Sequence, residues 1–160
     1  MERGRVTRGG SGLKNARIFR YALSANRMPH NTLESLDYIY VPAPDVDAAE
    51  QFYTTMLGGR LRWRIRDGGV TVAAVQLCDA APLLLLASHL AAKATILIYR
   101  VASLAATRQH LLDARWTDLD EPFEIPQGPC LVFRDPAGQQ LAIYERTRPF
   151  VERSFEGRFD

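Results

Sequence analysis

The chain has 160 residues, 47% of them hydrophobic, and a formal net charge of +2, enough apolar material to bury the core of one domain or of two fused half-size units. No run approaches the roughly 18 apolar residues of a membrane-spanning helix, and the start lacks the apolar stretch of a secretory signal, so a cytoplasmic protein with no membrane partner is expected. Cys78 and Cys130 stand beside no His and in no Cys-x-x-Cys pair, which reads as free thiols rather than a disulfide or a catalytic nucleophile.

Residues 1–34 form a basic arm. Arg3, Arg5, Arg8, Lys14, Arg17, Arg20 and Arg27 face only Glu2, so residues 1–33 carry +6 and the remainder −4. Such a segment is expected to be flexible and to lie outside the core. Its basic side chains are too scattered to demand a nucleic-acid partner. Met28 offers an alternative start to Met1.

The pattern becomes regular at Leu36. LDYIYVPAP (36–44) is a strand rich in β-branched and aromatic residues, stopped by two prolines. Asp45 is an N-cap for a helix through Met56, with Val46, Ala49, Phe52, Tyr53 and Met56 on one face, ended by Gly58-Gly59. LRWRIR (61–66) alternates, Asp67-Gly68-Gly69 turns the chain, and VTVAAVQL (70–77) completes a hairpin; Pro82 to Ser88 adds a strand. The order then repeats. A strand covers Thr95 to Val101, Ser103 caps a helix with Leu104, Thr107, Leu111 and Leu112 on its packing face, and a weaker strand follows Trp116. CLVFR (130–134), the DPAGQ turn and QLAIYE (140–145) close the second half. A displacement of 58 residues sets Tyr38 on Ile96, Asp45 on Ser103, Val46 on Leu104 and Ala49 on Thr107. The prediction is an α+β fold of two βαβββ modules, about 36–89 and 94–146. Each is too small to hold a core alone, so the two must pack together or against another chain.

LDYIYVPAPDVDAAEQFYTTMLGG and FRDPAGQQLAIYE resemble the opening and the close of the paired modules of the vicinal oxygen chelate superfamily, which includes glyoxalases, bleomycin resistance proteins and extradiol dioxygenases. The resemblance spans about residues 35–146 and leaves the tail, 147–160, outside. It implies a curled mixed sheet around a cavity, paired in a homodimer. In the metal-dependent members a His or Gln opens each module and a Glu closes it. Carried over, those positions fall on Tyr38, Ile96 and Ala142, with the fourth near Leu85. Isoleucine and alanine have no lone pair to offer a metal, and His30, His89 and His110 read as tail, turn and helix-surface residues. The expectation is a site without metal or other cofactor.

Strand parity supplies the inward candidates: Tyr38 and Tyr40; Ile96, Ile98 and Arg100; Gln140, Ala142 and Tyr144. An apolar, aromatic pocket with a few polar tips suits a flat organic ligand. Trp63, with Leu61 and Ile65 on one face of its strand, is expected at the cavity or core, and Trp116 to match it in the second half. Arg60, Arg62, Arg64 and Arg66 on the other face either meet an anion or protect a sheet edge. Three functions fit these residues. The first is a metal-free protein that binds or sequesters a small aromatic or amphipathic molecule. The second is a cofactor-independent lyase or isomerase using Tyr38, Tyr144 and Arg100. The third is an interaction module using the arm and the Phe-bearing tail, which carries Phe150, Phe155 and Phe159.

Overall fold

The computed structural model describes residues 32–90 and 94–160, so all but the last three residues of the basic arm lie outside it. Two βαβββ modules follow one another. The first runs β1 (Leu33–Pro42), α1 (Val46–Gln51), β2 (Arg60–Asp67), β3 (Val70–Gln76) and β4 (Leu83–Ala87). The second runs β5 (Ile96–Val101), α2 (Leu104–Asp113), β6 (Phe123–Ile125), β7 (Gly128–Arg134) and β8 (Gln140–Glu145), and a short α3 (Val151–Phe155) completes the chain.

All eight strands share one curled sheet in the order β2-β3-β4-β1-β5-β8-β7-β6. Within each module the first strand pairs in parallel with the last, β1 with β4 and β5 with β8. The modules join where β1 and β5 run antiparallel, so the first strands of both halves form the centre of the sheet. The hairpin between β2 and β3 turns at Gly68 and Gly69, both at positive φ, which the two-residue turn requires and side-chain-bearing residues resist.

Alternation along the strands separates three apolar clusters. Val75, Leu84 and Leu86 pack with Val46 beneath α1, and Val101, Leu131 and Ile143 pack with Leu104 beneath α2. On the opposite, concave face Tyr38, Cys130, Ala142 and Tyr144 form the third. Asp45 Oδ1 accepts from Ala48 N at 2.9 Å and Ser103 Oγ from Ala106 N at 3.3 Å, so each module's helix starts on its expected cap. Asp45→Ala is expected to lower stability by about 1 kcal/mol, seen as a lower urea midpoint with an unchanged slope.

Two elements depart from the periodic reading. After Gln51 the first helix continues as a π-helix, Phe52–Met56, and the changed winding rotates its later side chains. Val46, Ala49 and Tyr53 stay against the sheet, whereas Phe52 and Met56 become exposed. The second departure is a bulge in β2, where Leu61 faces Val75 and Trp63 faces Ala74, leaving Arg62 as the extra residue. The four arginines therefore do not share a face. Arg64 and Arg66 pair with Glu50 and Asp47 of α1, while Arg62 pairs with Glu156 and lines a cavity on the concave side. No helix among the described residues is long and apolar enough to cross a membrane. Both cysteines are free thiols, Cys78 exposed and Cys130 buried in β7.

Candidate ligand-binding site

The concave face is built on two adjacent rungs of the central strands. Tyr38 stands between Leu83 and Ile98, and Ile98 opposes Ala142; on the next rung Tyr40 stands between Leu85 and Ile96. Tyr38, Leu85, Ile96 and Ala142 thus converge on one face, where they pack with Leu83, Ile98 and Tyr144 in one apolar cluster. The Tyr38 and Tyr144 rings lie 6.1 Å apart and tilted.

Buried hydroxyls need partners, and these two find acids. Tyr144 donates to Asp37 Oδ2 at 2.5 Å, and Ser35 donates to Asp37 Oδ1 at 2.6 Å. Arg100 completes this side, with Nε 3.0 Å from Glu34 and Nη1 3.7 Å from Asp37. Tyr38 donates to Glu152 Oε1 of α3 and accepts from Gln127 Nε2 at 3.4 Å. The other oxygen of Glu152 is held by Arg146 Nη2. Burial, and then the Glu152 carboxylate, push the Tyr38 phenol well above its ordinary value; burial and Asp37 do the same to Tyr144. Both are donors rather than bases at neutral pH. Burial alone raises Tyr40 to about 12, and mainly burial raises Cys130 to about 11. Burial works against the Arg146 charge, but Glu152, Tyr144 and Tyr38 together more than offset it and leave that guanidinium above its usual range.

A cavity of about 390 Å³ opens beside Tyr38, walled by Trp63, Leu83, Gln127, Glu152, Phe155 and Arg62 among others. α3 crosses the concave face at the end of the first module, with Phe155 packed on Trp63 at 5.7 Å between ring centroids. Beyond it the chain runs parallel to β2. Arg64 N donates to Arg158 O at 2.7 Å, and Gly157 N donates to Arg62 O at 3.1 Å. Residues 147–160 therefore fold back onto the concave face of the same chain, and Glu152, Phe155 and Glu156 supply one cavity wall.

Of the ligand-contacting residues expected from sequence, Tyr38 and Trp63 line this cavity. Leu85, Ile96, Ile98, Ala142 and Tyr144 belong to the apolar cluster on the same face but not to its walls, because α3 encloses space over the first module rather than over the central rungs. Leu83, one rung from Leu85, lines the cavity instead. Tyr40 packs edge-on against His89, 5.7 Å between centroids, and is not a wall residue. Arg100 is engaged by Glu34 and Asp37. Trp116 is elsewhere: α2 ends at Asp113, Arg115 takes φ 61°, and Trp116 turns back to donate to Arg134 O at 3.0 Å. Gln127, Arg146, Glu152 and Asp37 escape the sequence reading. Only Asp37 sits on a strand whose parity was read, and a register shift between Leu36 and Tyr38 puts it on the face that alternation denies it.

The side chains at the four expected metal positions are a phenol, two branched alkyl groups and a methyl, which do not make a divalent-metal site. No group of three or more His, Cys, Asp or Glu side chains suited to a metal occurs among the described residues.

Residues 35–143 match the model of the Glyoxalase/Bleomycin resistance protein/Dioxygenase superfamily, and the chain belongs to that family. No curated protein matches it by sequence. Among solved structures it is similar to methylmalonyl-CoA epimerase from Mycobacterium tuberculosis, at 17% identity and a TM-score of 0.63, covering 78% of this chain and 95% of that one. A Streptomyces coelicolor methylmalonyl-CoA epimerase variant in complex with 2-nitronate-propionyl-CoA is 19% identical, with a TM-score of 0.58 and coverage of 72% and 99%. A catechol 2,3-dioxygenase is 15% identical, with a TM-score of 0.56 and coverage of 72% of this chain but 42% of the dioxygenase. At these identities the likeness establishes the fold.

Proposed function

We propose that the protein binds a small organic molecule without the aid of a metal ion, using the cavity between Trp63, Phe155 and Tyr38. One observation carries this reading: the positions where relatives of this fold would place metal ligands are Tyr38, Leu85, Ile96 and Ala142, and they close into an apolar cluster beside an aromatic-walled cavity. A volume of about 390 Å³ falls within the range of small-molecule sites. Aromatic walls with a few fixed hydrogen-bonding groups favour a flat or amphipathic ligand. In Trp116→Phe protein, where Trp63 is the remaining tryptophan, a panel of flat aromatic compounds is expected to give saturable quenching. No saturable response from any of them, or stoichiometric metal in the purified protein that is lost in Tyr38→Phe, would count against the proposal.

A second reading, a cofactor-independent lyase or isomerase, is favoured by the Tyr38 hydroxyl at the cavity wall with Glu152 on it. Tyr144 and Arg100 support it less, since both are engaged with Asp37. The interaction-module reading rests on the arm and on Phe150 and Phe159, which the docked tail leaves exposed. Homodimer formation belongs to the main proposal and is supported by the exposed apolar side chains of Phe52, Met56 and Leu57. So does a cytoplasmic location, supported by the two free thiols.

A further inference from the structure

We infer that the cavity is a receptor for an organic monocarboxylate, and that Glu152 fills the receiving position as an internal stand-in when no such ligand is bound. The inference rests on the proposal that this cavity binds a small molecule, and it names the chemistry that the ligand must carry.

The donors around Glu152 are arranged for a carboxylate. The Tyr38 hydroxyl holds one oxygen and Arg146 Nη2 the other. Gln127 Nε2 donates to the Tyr38 oxygen at 3.4 Å, which leaves the phenol proton for the acid. Tyr38 is 5% exposed, so its hydroxyl has no alternative supply of acceptors from bulk water.

Glu152 does not use all that this site offers. Arg146 Nε is buried and has no hydrogen-bond partner among the described residues. Nε and Nη2 form one edge of a guanidinium, and a carboxylate meeting that edge side-on takes two parallel hydrogen bonds. Glu152, reaching down from α3, takes one. A free carboxylate is not tied to a helix backbone and can take both while still accepting from Tyr38.

The stand-in can also leave. The Glu152 side chain is 36% exposed, and α3 is held by other contacts: Phe155 on Trp63, Glu156 on Arg62 at 2.7 Å, and the backbone bonds of residues 157–160 to β2. Glu152 can therefore swing to solvent while the cavity keeps its walls. The ligand body then lies against Trp63, Phe155, Leu83 and Ala81. The remaining charges select for a single negative charge. Arg62 is occupied by Glu156 and Gln76, and once Glu152 has left, the wall acids Asp79 and Glu156 match Arg62 and Arg153, so Arg146 is the one cation left to be balanced. A dianion or a phosphate brings a second negative charge for which these walls hold no free cation.

Calorimetric titration of the full chain with naphthoate and with its neutral isostere naphthamide tests this. The wild-type protein is expected to bind naphthoate about tenfold tighter or better, a factor equal to about 1.4 kcal/mol. Arg146→Gln and Tyr38→Phe are expected to abolish that preference. Because those changes disturb buried groups, Glu152→Gln provides the independent arm: removing the competing charge is expected to raise naphthoate affinity by about tenfold and leave naphthamide nearly unaffected. Naphthoate bound no tighter than naphthamide by both wild type and Glu152→Gln overturns carboxylate recognition. So does failure of both compounds to bind while Trp63 still responds to other neutral ligands. Silence of both compounds and of the whole fluorescence panel overturns the cavity as a ligand site, and the carboxylate inference with it.

Discussion

Raising the pH from about 8 to about 11 is expected to unfold the protein cooperatively. Cys130 is raised to about 11 from 9.0 and Tyr40 to about 12 from 10.0, and Tyr38 and Tyr144 are raised further, each mainly by burial. An acid whose folded pKa lies above its unfolded one keeps its proton in the fold and loses it in the unfolded chain. Above the unfolded values the native state therefore binds more protons, and stability falls as pH rises. The contribution is complete below about pH 8.5, begins to drain through Cys130, and drains fastest once unfolded tyrosines ionise near about pH 10. Each such group removes about 1.4 kcal/mol per pH unit above its unfolded value, so by about pH 11 the three phenols and Cys130 together remove roughly 6 kcal/mol, within the 5–15 kcal/mol stability of a typical domain. The urea midpoint is expected to be flat to about pH 8.5 and to collapse above about pH 10, with tyrosinate absorbance appearing together with unfolding. Gradual ionisation of all the tyrosines at a constant urea midpoint would contradict the buried hydroxyl network.

The second large effect is a gain. The triple change Tyr38→His, Ile96→His and Ala142→Glu is expected to create a divalent-metal site where the native side chains refuse one. Tyr38 and Ala142 share a rung through Ile98, and Ile96 occupies the adjacent rung on the same face, so two imidazoles and a carboxylate would converge. Glu152, already beside position 38, stands ready as a further oxygen donor. The change has a cost, since Gln127 and Glu152 lose the hydroxyl that joins them, and the apo triple variant is expected to melt below the wild type. Metal reverses this by mass action, adding about 2.7 kcal/mol at a concentration one hundred times Kd. Stoichiometric uptake of zinc or nickel, with a melting temperature that climbs with metal concentration, is the expected result. No uptake by a folded triple variant would mean that the three positions do not converge as the strand register places them.

Local chemistry carried much of this fold in plain view. The caps at Asp45 and Ser103, the Gly68-Gly69 turn and the span of β8 each follow from a few neighbouring residues, and each is found where the pattern puts it. Strand parity likewise brings Tyr38, Ile96, Ile98, Ala142 and Tyr144 onto one face. Parity fails where a strand carries an extra residue. The β2 bulge sends Arg62 to the cavity and Leu61 under α1, and the irregularity at Leu36 to Tyr38 turns Asp37 toward Tyr144. Position in the repeat also misleads for Trp116, because a single residue at positive φ redirects the chain after α2. The half of the site that stayed hidden is long-range. Tyr38 and Glu152 are 114 residues apart, and no periodicity in either segment encodes their meeting. Phe155 left a trace as one of three phenylalanines spaced along a charged tail, but only it packs on Trp63, while Phe150 and Phe159 stay exposed.

The docking of α3 also sets an order of events during synthesis. β1 is made early, yet its neighbours in the sheet are β4 and β5, and the segment that covers its Tyr38 is residues 151–160. While the chain emerges from the ribosome, the Tyr38 hydroxyl, Gln127 and Arg146 stay bare until α3 follows them out. The donors on Tyr38 and Arg146 are therefore paired only after α3, which carries their shared acid, has been made.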